Sequence, residues 1–411
     1  MRAMTQWFQM ICKSATSFAL SISLVACATM TSQASPDTDQ NRVSYWMEVA
    51  AANRVDWFER TPDTARPDAV VALAMFEAAN AVEQKYPSYL DMPEGPESVS
   101  AAAAVDAAAQ KALALLYGYE DPAQSALSAE ASQLGMAAAE AAFARGKALT
   151  AHPTEPFRTH TPPGLYVPSE TVSAIASFDL SLRPWALPDI ASARPAPPPS
   201  LDTNLYLEDW TEVRDFGGKL STERTEAQTE TAWFWFFIDM NPVLREIAET
   251  PGRTAAQNAR MYAMFYMVTD DAWIASAEAK AHYQFWRPVT AIRHADRDAQ
   301  SATVREAEWA SLVPTPPHPE YPCAHCVQAA AQYLILTAEL EDVDHVFSIK
   351  SSTLPDAPAR LATLQDYVEQ TSLSRIYAGA HYRFSNAAGE SAGAKVGQAI
   401  LQSWPEDVVS D

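Results

Sequence analysis

The sequence predicts an all-α protein, a large helical domain of two packed helical bundles spanning residues from about 40 to 405. Three observations lead there. Hydrophobic residues make up 48% of the 411, enough for a large buried core and too many for a disordered chain. Only 12 residues are glycine, too few for a fold built on many tight β-turns. Alanine-rich segments with helical apolar spacing recur along the chain. Neither a Gly-x-Gly-x-x-Gly nor a Walker A run is present, so no nucleotide is expected.

Residues 1–34 read as an export signal: Arg2 and Lys13 precede or flank an apolar stretch from Phe18 to Ala28. Leu24-Val25-Ala26-Cys27 resembles a lipobox with Cys27 as the lipidated residue, and Ser32-Gln33-Ala34 offers an ordinary cleavage site instead. Expected locations are therefore the periplasm or outer membrane, with a lipid anchor, or the secreted medium. The apolar run is too short to span a membrane. Removing these residues takes away two positive and no negative charges, moving the net charge from −22 to −24. Such a surface argues against nucleic acid as a partner. Oligomeric state is not legible.

Amphipathic helices are expected at Asp68–Lys85, Val99–Tyr117 (capped by Ser98 or Ser100) and Gln124–Leu149. Residues 153–199 hold 11 of the 29 prolines and form an irregular connection. It is either a domain boundary or a loop wrapped over one domain, and the apolar anchors Tyr166, Phe178 and Trp185 favour the loop. A second helical half begins near Glu223, and its aromatic run Glu230–Asp239 is expected to serve core packing. A long helix over Thr254–Arg287, ended by Pro288, places Lys280, Gln284 and Arg287 on one face. Residues 313–322 contain five prolines and lead into a helix from Cys323 to about Leu340. The remaining helices are Arg360–Ala378, with Gly379 as its left-handed cap, and Asn386–Gln402. On the latter, Gly389, Gly393 and Gly397 form a small face for close helix packing.

The chemistry concentrates in residues 280–390. The stretches are Lys280-A-H-Y-Q-F-W-Arg287-Pro288, Pro322-Cys-Ala-His325 and Ser374-Arg375-I-Y-A-G-A-His381. One lysine, two arginines and two histidines in an acidic chain suit an oxyanion worked on by a histidine. Cys323 to Cys326 form the first turn of a helix, whose free N–H groups favour an anion. His325 there feels the dipole and any nearby arginine, which lower its pKa; a bound anion acts oppositely. After the signal only Cys323 and Cys326 remain, a C-x-x-C pair that an exported protein can hold oxidised. Val327 follows Cys326 where a haem-attachment motif needs histidine, and no second C-x-x-C completes a zinc site. Neither haem nor zinc is expected.

In order and spacing these stretches resemble the motifs Lys-x6-Arg-Pro, Pro-Ser-Gly-His and Ser-Arg-x5-His-x3-Asp. Those motifs mark vanadium-dependent haloperoxidases and type-2 phosphatidic acid phosphatases. FWRPVTAIR and IYAGAHYRF are similar to the bacterial haloperoxidase-like branch in particular. The resemblance runs from about Tyr45 to Trp404. It implies that Lys280, Arg287 and Arg375, with Cys323 and Ala324 at the motif's Ser-Gly positions, bind the oxygens of vanadate, a site phosphate also fits. It implies His325 as acid/base and His381 as axial vanadium ligand or, in a phosphatase, nucleophile. Cys323 replaces the motif serine, and a Cys323–Cys326 disulfide would protect it from oxidation. Ser385 stands where an aspartate would orient the histidine, leaving Ser385 or Glu390 as the group beside His381.

Three kinds of function follow. The leading one is a vanadate-dependent haloperoxidase-like enzyme oxidising halide with hydrogen peroxide. The second is an exported acid phosphatase with a phosphohistidine intermediate. The third is an oxyanion-binding or C-x-x-C thiol-redox protein, ranked low because no thioredoxin-like βαβ pattern surrounds the pair. All take small-molecule substrates.

Overall fold

The computed structural model describes residues 42–53, 65–121, 127–149, 162–168 and 182–404. The export signal, Cys27 and the anchor Phe178 lie outside the described residues. Among the described residues twelve α-helices dominate: α1 Arg42–Asn53, α2 Arg66–Glu83, α3 Ala101–Tyr117, α4 Ala129–Ala148, α5 Asn204–Gly217, α6 Glu226–Phe234, α7 Asn241–Ala248, α8 Ala255–Tyr283, α9 Pro288–Arg293, α10 Ala324–Ala338, α11 Leu364–Tyr377 and α12 Arg383–Ser403. The protein is thus mostly helical. The sequence reading missed a small antiparallel sheet of three short strands, β1 Ile238–Asp239, β2 Phe347–Ser351 and β3 Arg360–Ala362, in that order. β3 takes the residues expected to begin α11. That helix starts later because Thr363 forms a capping box with Asp366.

Local chemistry sets the helix starts. Ser100, Ser128, Thr203, Thr225 and Thr254 each cap a helix by accepting an N–H three residues on. α2, α3 and α4 pack on one another, α10 packs along α12, and α8 touches both groups. One apolar core runs through all of them, including Val71, Leu73, Met264, Met267, Ile335 and Val396. The glycine face of α12 meets α10 as its spacing implied: a Cβ on Gly393 would sit 2.2 Å from the Val327 carbonyl oxygen.

The proline-rich connection is anchored by Tyr166 and Trp185, both buried. Asp271 on α8 accepts the Trp185 N–H at 2.6 Å and the Ala186 N–H at 3.1 Å. Asp270 accepts the Trp185 indole N–H at 2.9 Å and pairs with Arg66 at 2.8 Å. These two aspartates are fully buried and clasp the connection, rather than forming a solvated face. No described helix is long and apolar enough to cross a membrane.

Candidate active site

α8 ends before Arg287. Gln284 adopts φ 49° as a left-handed cap, and Pro288 begins α9 with Arg287 as its N-cap. Lys280 and Arg287 therefore do not share one helix face. A turn carries Arg287 inward, held where Tyr166 N–H donates to the Gln284 carbonyl at 2.6 Å and Trp286 N–H to the Gly164 carbonyl at 3.0 Å.

Lys280 is fully buried, and its ammonium donates to the carbonyls of Pro319 (2.9 Å), Glu320 (2.7 Å) and Pro322 (2.6 Å). An ammonium has three protons, so all are engaged by the stiff segment that carries the second motif. Lys280, expected to contact an oxyanion, is seen here holding these three carbonyls. It folds the Pro-rich strap over the site and adds a positive field.

Arg287 donates from Nε to the His318 carbonyl at 2.9 Å and from Nη1 to the Ala380 carbonyl at 2.9 Å. Its Nη1 lies 3.1 Å from His381 Nε2, and its Nη2 lies 2.9 Å from His318 Nδ1. Arg375, on α11, donates to Ser374 Oγ at 3.0 Å and the Trp235 carbonyl at 3.1 Å, with Phe236 4.4 Å from its guanidinium carbon. No salt bridge neutralises Lys280, Arg287 or Arg375 among the described residues. Burial lowers the pKa of all three: Arg287 to about 10, and Arg375 to about 9 with Arg287 adding repulsion.

His381 follows Gly379, whose φ of 74° turns the chain out of α11. A Cβ on Gly379 would lie 2.4 Å from the Gly217 carbonyl oxygen, so the turn requires glycine. His381 Nδ1 lies 2.8 Å from Glu320 Oε1, which also accepts the Tyr382 N–H at 3.2 Å. Glu320 was not singled out in the sequence. It sits inside the proline-rich segment 313–322, and only the fold brings it to His381. Burial raises its carboxyl to about 7, against the pull of Lys280, Arg287 and Ser385. Ser385 therefore stands beside the glutamate rather than the histidine. Glu390 accepts from Ser372, while the two His381 ring nitrogens face Glu320 and Arg287. The expectation that one of these two orients His381 directly is corrected.

Cys323 caps α10 and is joined to Cys326 in a disulfide; its sulfur accepts the Cys326 N–H at 3.3 Å. The sulfur carries no proton to donate. The orphan donors of this turn are the backbone N–H groups of Ala324 and His325. The His325 ring packs 5.3 Å from Phe237 and 5.9 Å from Phe236, centroid to centroid. It lines a cavity with Trp235, Phe236 and Phe237, so the aromatic run, which packs Phe234 and Trp235 into the core as expected, also supplies a cavity wall. Burial, then the nearby cations, drives both histidines well below their ordinary pKa: Arg375 first for His325, Arg287 first for His381. Both stay neutral at neutral pH, one tethered to a carboxylate and one facing a cavity. Among the described residues no cluster of histidine, cysteine and carboxylate could hold a metal cation.

Lys280, Arg287, Arg375, Glu320 and the two histidines are thus brought together in the buried interior of the second half. Residues 260–407 match the family model for the VCPO second helical-bundle domain. The fold is similar to that of a bacterial vanadium-dependent iodoperoxidase, with a TM-score of 0.75 at 20% identity over 92% of this chain and 99% of that one. It is also similar to apo and holo structures of bacterial vanadium-dependent chloroperoxidase. Their TM-scores are 0.63 and 0.64 at 16% and 17% identity, covering 82% and 89% of this chain and 92% and 95% of theirs. No curated protein matches. The fold is that of the bacterial vanadium haloperoxidases, with their second bundle carrying all three motifs.

Proposed function

We propose that this protein is a vanadate-dependent haloperoxidase-like enzyme that oxidises halide with hydrogen peroxide. One observation carries the reading: three buried cations, none in a direct ion pair and with only the Glu320 carboxyl near Lys280 and Arg287, lie beside two neutral histidines. Burying like charges together is costly unless an anion is shared, and the fold is shared with vanadium-dependent peroxidases.

The residues present fit vanadate. Arg375 uses two of its N–H donors internally, leaving others for oxygens. Arg287 would hold an oxyanion oxygen in place of His381 Nε2, whose lone pair would then be available to the group. Glu320 accepts from Nδ1–H and so fixes the tautomer with the lone pair on Nε2. The Ala324 and His325 amides supply further donors. Bound vanadate would act as a Lewis acid toward peroxide without changing its own oxidation state. His325, neutral beside the pocket, takes and returns protons there.

A second reading, an acid phosphatase attacking through His381, is favoured by the same Glu320. A carboxylate stabilises the positive charge that a nucleophilic histidine gains. Vanadate titration of the purified protein, bromide-dependent dye halogenation and p-nitrophenyl phosphate hydrolysis on one sample test both readings. His381→Ala should abolish vanadate binding and halogenation together. His325→Ala should retain vanadate and lose turnover by roughly 10²–10⁴-fold. A phosphohistidine trapped at residue 381 by acid quench, with vanadate only inhibiting, would establish the phosphatase instead. Absence of binding and of both activities would remove the enzymatic reading. Export belongs to the proposal, and mass spectrometry of the native N-terminus tests it; a chain beginning at Cys27 with lipid, or near Ser35, is expected.

A further inference from the structure

Three amide side chains line the cavity of about 270 Å³ beside His325: Asn241, Gln328 and Gln332. Two of them are engaged within the protein at both ends. Asn241 accepts from the Tyr266 hydroxyl at 2.8 Å and donates to Asp239 at 3.0 Å. Gln332 donates to the Thr269 hydroxyl at 2.8 Å and accepts from the Tyr367 hydroxyl at 2.8 Å. The half-buried Gln328 makes no side-chain hydrogen bond among the described residues, through either its carbonyl or its amino group. The ring nitrogens of His325 make none there either. Both residues belong to α10 and stand three positions apart. Residues so spaced are neighbours on one helix face, with about 5–6 Å between their Cβ atoms. One small molecule can therefore touch both.

We propose that Gln328 binds hydrogen peroxide and holds it against His325. The assignment rests on the haloperoxidase reading and adds a substrate-binding residue that lies outside the three motifs. A glutamine amide both donates and accepts, and so does peroxide, with two O–H groups and two acceptor oxygens. One O–H donates to Gln328 Oε1 and Gln328 Nε2–H donates to a peroxide oxygen. The second O–H is left for a lone pair of the His325 imidazole, which burial and Arg375 keep neutral. The imidazole takes that proton, the O–H bond breaks, and an imidazolium and a hydroperoxide anion remain; no electron changes hands. The amide N–H then donates to a charged oxygen, a stronger bond than to a neutral one, so Gln328 favours the transfer. A halide suits the position less well. It has no proton for Oε1, and Asp239 on the same cavity disfavours a guest that arrives as an anion.

Gln328→Met keeps side-chain length and helix propensity and removes both hydrogen bonds. With vanadate and bromide it should raise the KM for hydrogen peroxide about 10-fold, the scale of one to two neutral hydrogen bonds, and by more than it lowers kcat. Vanadate affinity, read by calorimetry, should stay at the wild-type value and shows that the variant is folded. Methyl hydroperoxide has a single O–H, which goes to His325, so the variant should lose about 3-fold or less in kcat/KM with it. A further readout needs no vanadate. In protein labelled with ¹⁵N-glutamine, the side-chain amide signals that Gln328→Met removes should move as hydrogen peroxide is added. Halide oxidation with an unchanged peroxide KM, an equal loss with both peroxides, or Gln328 signals that stay still overturns the peroxide role and leaves the haloperoxidase reading standing. Wild-type protein that oxidises no halide overturns both.

Discussion

Glu320 Oε1 stands 2.8 Å from His381 Nδ1, joining residues 61 positions apart in the chain. The carboxylate arrives from the proline-rich strap ahead of α10. In the motifs this chain resembles, an orienting carboxylate would come from position 385. Lys280 holds the strap by three carbonyls, one of them Glu320's own. The lysine, the glutamate and the histidine are thus one mechanical unit.

Glu320→Gln should lower vanadate affinity by roughly 10–100-fold, the usual loss when a group behind a ligating histidine is replaced. Adding Ser385→Asp to that variant should recover most of the loss, because residue 385 already faces Glu320. Calorimetry gives the affinities, and ¹⁵N shifts of the His381 ring, read without vanadate, report the tautomer. Unchanged affinity in Glu320→Gln would show that the pair does not position the ring.

Arg375 should reveal itself by opposite effects on stability and binding. Burial and Arg287 already depress its pKa to about 9, so the ionised side chain is costly in the unliganded protein. Arg375→Met should raise the apo melting temperature while weakening vanadate by roughly 3–5 kcal/mol, the scale of a broken desolvated charge pair. Thermal melts with and without vanadate measure both. A variant that melts lower and binds as before would contradict the role.

Asp271 supplies a pH test of the clasp on the proline-rich connection. Burial raises its carboxyl from 3.8 to about 7, outweighing the amides of Trp185 and Ala186, with Asp270 adding repulsion. The folded state therefore binds more protons than the unfolded state between about pH 4 and 7, and this group's contribution to stability falls as pH rises through that window. The stability of the wild type relative to Asp271→Asn should accordingly be greater at pH 4 than at pH 7.5. Urea midpoints at the two pH values check it; a difference independent of pH would show that Asp271 is ionised throughout.

Gly393 tests the packing that seats α10. A Cβ there would meet the Val327 carbonyl oxygen at 2.2 Å and the Ala330 side chain at 2.9 Å. Gly393→Ala should cost roughly 1–3 kcal/mol, the range for overpacking a close contact. Denaturant unfolding measures the loss. A weaker effect on vanadate binding than on stability is expected, since Gly393 meets α10 at Val327 and Ala330, after the first turn that carries the site.

Helical class, the glycine face of α12 and the set of buried cations were all legible in the sequence. Each is written in local terms, as composition, spacing at 3.6 residues per turn, or a motif that keeps its order. Arg287, Arg375, His325 and His381 were singled out as candidates by motif matching. What the side chains do there did not follow. Lys280 spends its protons on carbonyls of a strap 39–42 residues away. Ser385 and Glu390 were placed beside His381 by sequence neighbourhood, yet Glu320 takes that position. The aromatic run around Trp235 does enter the core through Phe234 and Trp235, but hydrophobicity could not show that Phe236 and Phe237 also line a cavity. β1 and β3 escaped notice because two or three residues carry no readable period, whereas the alternation of the five-residue β2 was overlooked. Sequence by itself determined which residue types were available and which helices would bury which faces. Only the tertiary structure decided the partners. A buried charge or imidazole takes whichever donor or acceptor the packing brings within 3 Å, and that distance is set by chain segments far apart in sequence.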